Sequence, residues 1–186
     1  MFIKDVESIG FKNVGKNVLI SDKSTIYNAK NIEIGDNVRI DDFCVISAGE
    51  GGIKLGNNIH IAVFCSIIGN GGVIMNDFSG LSSRVSIYSS TDDYSGNYLT
   101  NPTIDKKFTN VISGDVYIGK HVIIGSGTIV LPNVKINDYS SVGALSLINK
   151  DVDELKIVAG VPAKEIKNRN KNLIKLENDF LNYIKK

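Results

Sequence analysis

The chain has no tryptophan, and only three prolines, two cysteines and two histidines among its 186 residues. Cys44 and Cys65 supply neither a disulfide framework nor the paired spacing of a metal-binding knuckle. Two histidines with this spacing cannot complete a three-histidine zinc centre across one interface, so no metal is expected. No apolar run approaches the roughly 18 residues of a membrane span. The opening MFIKDVESIGF lacks the apolar core of a signal peptide. The expectation is a cytoplasmic protein without membrane insertion. Neither sign of charge dominates: 21 Lys and Arg face 20 Asp and Glu, which removes the basic surface that nucleic acid requires. What is abundant is glycine, 18 residues, together with Ile, Val, Ser and Asn. That mixture, in a length suited to one domain, points to many short strands joined by tight turns.

The strands announce themselves by a repeat. An aliphatic residue opens a six-residue unit at Ile34, Ile40 and Ile46, and again at Ile118, Ile124, Val130, Ile136, Val142 and Ile148. Gly or Asn often follows the opener, and the fifth position is small or β-branched. Period six suits neither a helix nor a hairpin series; it fits short flat strands with a turn after each. Openers fall at 14, 20, 26; 34, 40, 46; 55, 61, 67; 75, 81, 87; 118, 124, 130; and 136, 142, 148. Steps of six within each triplet, and mostly longer steps between triplets, imply three strands per coil and one corner that carries the extra residues. The step from Ile87 to Ile118 holds YSSTDDYSGNYLTNPTIDKKFTN, a polar stretch of a length usually functional or disordered. Its position at the extendable corner predicts a projecting arm over 88–117.

Both ends read as covers for an open-ended solenoid. Residues 1–13 form an N-terminal cap in which Phe2, Ile3, Val6, Ile9 and Phe11 could lie over the first coil. In 166–186, Leu173, Leu176, Phe180 and Ile184 recur at three- and four-residue steps, an amphipathic helix. Its apolar stripe suits packing on the prism or on a neighbouring subunit.

This pattern resembles the left-handed parallel β-helix of the hexapeptide-repeat acyltransferases over residues 14–165. The tail IVAGVPAKEIK (157–167) is similar to the segment that ends the prism in the acetyltransferase branch, which includes the galactoside and maltose O-acetyltransferases. DDYSG, with IYSS before it, looks like sugar-modifying enzymes of bacterial surface polysaccharide and lipopolysaccharide synthesis. The resemblance implies an all-β prism with an arm loop and a C-terminal α-helix, assembled as a homotrimer with active sites between neighbouring prisms. It implies an acetyl-CoA-dependent acetyltransferase that delivers the acetyl group directly, in a ternary complex, to a hydroxyl or amine of a sugar. A nucleotide-linked amino sugar is one such acceptor. A drug acetyltransferase of the same fold and a non-catalytic scaffold are the rival readings; the GVPAK tail argues against the scaffold.

Acyl transfer needs a base, an oxyanion donor and a channel for a long anionic cofactor. The arm histidine of the galactoside enzymes falls, by the repeat count, on Asp92, a departure that leaves His60 and Asp92 as alternative bases. The same count puts His60 and Asn70 at positions that contact substrate in that family. A neighbouring carboxylate, from Asp92 or Asp93, would orient His60, and Tyr94 could offer a flat face to a sugar ring. His121 reads as a solvated turn residue. The resemblance assigns Ser126, Ala144 and Asn149 to acetyl-CoA, with the Ser126 backbone N–H as oxyanion donor. Gly125 and Gly143 keep that track small. Lys164 and Lys167 suit the cofactor phosphates, with Arg169 as a possible helper. The two cysteines read as small core residues rather than nucleophiles.

Overall fold

An aliphatic side chain every six residues can be buried only if the chain turns inward on itself once per unit, and the computed structural model, which describes residues 1–184, shows that geometry. Three sheets, parallel except for the antiparallel pair that closes the second, form the faces of a prism. The first holds six strands, from Asn13–Val14 to Val134–Ile136, and the third six, from Thr25–Tyr27 to Leu147–Ile148. The second has eight, from Leu19–Ile20 to the closing pair Lys156–Gly160 and Ala163–Asn168. Each coil contributes one strand to each face, in the left-handed parallel β-helix that the spacing predicts.

The openers from Ile34 to Ile148 are all buried, and a second buried column runs two residues ahead of them. Cys44 and Cys65 stand in that second column. A hydrogen bond with Cys44 and burial both push the Cys65 thiol up, the reverse of what a nucleophile needs. Higher in the prism the column turns polar, at Ser79, Thr128 and Ser146. Each of these hydroxyls donates to a turn carbonyl: Ser79 to Asn76 O at 2.6 Å, and Thr128 and Ser146 to Gly143 O at 3.0 and 2.8 Å. Buried hydroxyls are therefore satisfied within the corner they occupy.

The IGDN form of the repeat has a steric origin. A Cβ on Gly35 would lie 2.6 Å from Asn57 Oδ1, because that side chain reaches back to accept the Asp36 amide at 2.7 Å. Glycine makes room for the coil-to-coil ladder. At the corners one residue per turn is left-handed. Asn takes this role in the early coils, at Asn17, Asn37 and Asn58, while Phe78, His121 and Tyr139 take it further along. There the rings stack on one another, which offsets the conformational cost: Phe78 on His121 at 4.7 Å, and His121 on Tyr139 at 5.6 Å.

The long step is a structured arm at the corner between the third and first sheets. Its root is an antiparallel pair, Ser90–Thr91 with Ile112–Ser113, and Leu99 N donates to Phe108 O at 2.9 Å further out. Tyr94, Tyr98, Leu99, Phe108, Val111 and Ile112 on the arm are exposed, Tyr94 by 91%. The C-terminal helix α1 spans Asn172–Ile184. The expected boundary at 165/166 falls inside the strand Ala163–Asn168, and positions 185 and 186 of the expected helix lie outside the described residues. No described helix is long and apolar enough to cross a membrane.

Candidate active site

His60 begins a strand of the second sheet, paired in register with Arg39 on one side and Gly80 on the other. It faces outward, with its side chain 54% exposed. Its Nε2 lies 2.7 Å from Asp41 Oδ2, while the other Asp41 oxygen accepts from Arg39 Nε at 2.7 Å. Within one chain the carboxylate that meets His60 is therefore Asp41, two residues beyond Arg39, and not Asp92 or Asp93 as expected. Burial pushes the Asp41 carboxyl up, but the hydrogen bonds from His60 and Arg39 outweigh it and hold the group below the ordinary carboxylate range.

The arm residues stand elsewhere. Asp92 follows the root strand Ser90–Thr91, is half-buried, and makes no side-chain hydrogen bond or ion pair among the described residues. Asp93 is occupied: Oδ1 accepts from the Ser95 amide at 2.8 Å and Oδ2 from Asn110 Nδ2 at 3.4 Å. The Ser95 hydroxyl donates to Asp93 as well and is the main cause of its carboxyl lying below its usual range. Asp93 thus ties the two sides of the arm together. Asn70 sits at the arm's base, where its amide donates to Ser90 Oγ at 3.2 Å and its Oδ1 accepts from the Glu50 amide at 3.3 Å. Asn70, Asp92, Asp93 and Tyr94 therefore share the corner between the third and first sheets, the edge of a triangular prism opposite the second sheet that carries His60. One chain does not bring His60 and Asp92 together.

The cofactor candidates fall mainly at the corner between the second and third sheets. Gly125–Ser126 and Gly143–Ala144 stack one coil apart, and Leu145 N donates to Ser126 O at 2.8 Å. A Cβ on Gly125 would lie 2.5 Å from Ala144 N, so glycine is demanded here by the coils themselves. The amides of Ser126 and Ala144 have no acceptor among the described residues and can face a ligand. The hairpin of the VAGVPAK segment, with a cis Val161–Pro162 peptide, closes over this corner. Ser146 is the tie that sequence reasoning missed: its hydroxyl accepts from Gly160 N at 3.1 Å while donating to Gly143 O. Only its place in the buried fifth-position column hinted at a structural part. Lys164 and Lys167 are exposed on the outer strand of the hairpin. Asn149 stands at the far end of the third sheet and lines a cavity of about 180 Å³ with Lys156, Ala163 and Glu165.

Two expectations change. Arg169 does not reach for phosphate; its guanidinium donates to His121 O, Tyr139 O and Ser140 O at 2.7, 3.2 and 2.8 Å. At the end of the prism these carbonyls face the chain's tail, and the N–H groups of the one Nη1 serve all three. His121 is not solvated either. Beyond its ring stack, its Nε2 lies 3.0 Å from Glu177 Oε2 of α1, and Lys120 pairs with the other oxygen. Phe180 meets Phe78 edge-on at 6.0 Å, so these contacts dock the helix on the prism. No group of three or more His, Cys, Asp or Glu among the described residues is arranged to hold a metal ion.

Known proteins resemble this chain in sequence and fold. The family of the bacterial transferase hexapeptide (six repeats) matches residues 110–150. The dTDP-4-amino-4,6-dideoxy-D-glucose acyltransferase of Escherichia coli is 54% identical over 175 residues, 94% of this chain and 91% of its own. AntD, an N-acyltransferase from Bacillus cereus, has been solved as a serine-to-alanine variant in complex with dTDP-4-amino-4,6-dideoxyglucose and coenzyme A. It matches with a TM-score of 0.94 and 44% identity over 98% of both chains. A galactoside acetyltransferase in complex with coenzyme A shares the fold, with a TM-score of 0.58 and 23% identity over 89% of this chain and 68% of that one. Prism, arm, closing hairpin and near-full-length likeness agree: the chain is a member of the hexapeptide-repeat acyltransferase family.

Proposed function

We propose that this enzyme transfers an acetyl group from acetyl-CoA to the amine of a nucleotide-linked amino sugar, in a homotrimer acting in the cytoplasm. The observation that carries this reading is the near-complete match to an N-acyltransferase holding a dTDP-linked 4-amino sugar and coenzyme A. The neutral amine attacks the thioester carbonyl and forms the C–N bond. The Ser126 amide steadies the developing oxyanion. Asp92, the arm carboxylate with no partner among the described residues, takes the proton that the nitrogen loses and gives it up to the sulfur as the C–S bond breaks and the coenzyme thiol leaves. His60 holds the acceptor. Lys164 and Lys167 meet the cofactor phosphates, and Asn149 borders the cofactor further along. Because His60 and the arm occupy opposite sides of one prism, the complete acceptor site forms where the arm of one chain meets the second sheet of the next.

The test is thiol release from acetyl-CoA over a panel of dTDP- and UDP-linked amino sugars, galactosides, maltose and chloramphenicol. A dTDP-linked 4-amino sugar should be acetylated in preference to all others. Preference for a galactoside or for chloramphenicol would move the enzyme to another branch of the family, and no turnover with any acceptor would sink the reading.

A further inference from the structure

The His60 side chain carries more structure than a free surface histidine needs. A carboxylate can only accept a hydrogen bond, so the 2.7 Å contact to Asp41 Oδ2 requires the proton on His60 Nε2. In the neutral ring Nδ1 then keeps its lone pair, and no described group donates to it. Asp41 is fixed in its turn: its side chain is only 14% exposed, and its second oxygen is held by Arg39. Arg39 stands in register beside His60, so the three side chains form one row across two neighbouring strands.

The strand on the other side of His60 presents Gly80. A Cβ built there would meet nothing nearer than His60 O at 3.5 Å and Ile123 Cδ1 at 3.6 Å, and the glycine's backbone is not left-handed. Neither crowding nor conformation explains this glycine. Its effect is to leave a gap beside the imidazole, walled on its far side by the exposed Ile123. Ring, tautomer and gap all describe a contact point that is prepared in advance.

From this arrangement we infer that Asp41 is a positioning residue of the acceptor site: through Nε2 it fixes the His60 ring so that Nδ1 accepts a hydrogen bond from the acceptor, which enters over Gly80. The inference rests on the acceptor reading for its ligand but not for the dyad, which exists in the free enzyme. An Asp41→Asn side chain can present its amide N–H to Nε2, which moves the ring proton to Nδ1 and replaces the acceptor with a donor.

The test combines spectroscopy with kinetics. The chain has two histidines, so ring-nitrogen NMR resolves both directly. In the wild type, the His60 ring should be protonated at Nε2, and dTDP-4-amino-4,6-dideoxyglucose should shift its resonances while leaving those of His121 unchanged. Asp41→Asn should lower kcat/KM for the amino sugar about 10- to 100-fold, the loss seen when the partner orienting a metal-bound histidine is removed. It should have no further effect in a His60→Gln background. Gly80→Leu should raise KM for the acceptor and leave that for acetyl-CoA in place. Several results would overturn the inference: a ring protonated only at Nδ1, full activity in His60→Gln, or an Asp41→Asn loss that is undiminished when His60 is absent. If Asp41→Asn does not fold, the wild-type tautomer, the His60→Gln kinetics and the Gly80→Leu split still decide. Failure of the wild type on every amino sugar would count against the acceptor class instead, because the tautomer is read without substrate.

Discussion

At the scale of single residues, the two carboxylates of the DDY segment illustrate how a contact list separates roles that adjacent positions blur. Asp93 closes a turn with Ser95 and reaches Asn110 across the arm, whereas Asp92 has no side-chain partner among the described residues. Asp92→Asn should therefore cut kcat by about 10²- to 10⁴-fold, the usual contribution of a general base, with little change in KM for acetyl-CoA. Asp93→Asn should mainly loosen the arm, seen as faster proteolysis there. The glycines separate in the same way. Gly125→Ala would set a methyl 2.5 Å from Ala144 N and should cost about 1–3 kcal/mol in thermal unfolding, with weaker coenzyme binding. Gly80→Ala meets nothing closer than 3.5 Å and should leave stability unchanged within about 0.5 kcal/mol.

At the scale of elements, helix α1 is held by a small set of contacts around Glu177, a carboxylate only 7% exposed. Burial pushes this carboxyl up, but the hydrogen bonds from Lys120 and His121 prevail and leave it below its ordinary value. The Glu177 hydrogen bond in turn raises Lys120 above its own. A depressed carboxyl contributes stability that is complete above its unfolded value and is lost as pH falls through the folded one. A raised lysine contributes below its unfolded value and loses that contribution as pH rises through the folded one. The helix should thus stay docked across the neutral range and loosen in acid below the normal carboxylate range, and again in strong base. Hydrogen exchange along 172–184 at several pH values reads this directly. Glu177→Gln should accelerate exchange there at neutral pH and leave the prism amides protected. Equal acceleration in the prism would show that the helix is not a separate unit.

For the whole molecule, the proposed acceptor site requires assembly, because His60 and the arm lie on opposite sides of one prism. Light scattering should give three times the chain mass. Co-expressing His60→Gln with Asp92→Asn should rebuild activity that neither variant has alone, at about a quarter of the sites for random mixing in a closed ring. No recovery would place both groups in one chain's site, or outside the site altogether. Shortening the arm between Ser90 and Ser113 to a tight turn should leave the prism folded, because the coils on either side pair directly through Val73–Met75 and Val116–Ile118. Activity should be abolished.

Much of this was legible in the order of residues. Period six fixes where the chain must turn, and burial of one aliphatic side chain per turn leaves a three-sided prism as the packing solution. The interruption at 88–117 marks the arm because extra residues can leave a regular coil only at a corner. Among the candidate site residues, His60 stood out as one of only two histidines, whereas Asp92 and the Ser126 and Ala144 track came from the family resemblance. Their partners did not. Asp41 meets His60, Glu177 meets His121, and Arg169 meets the carbonyls of His121, Tyr139 and Ser140 across gaps of 19, 56 and up to 48 residues. No local pattern encodes such pairs. Hydrogen bonds form between groups that the coils bring within 3 Å, and that proximity is a property of stacked strands, whose register the repeat sets but whose outward neighbours only the assembled prism brings together.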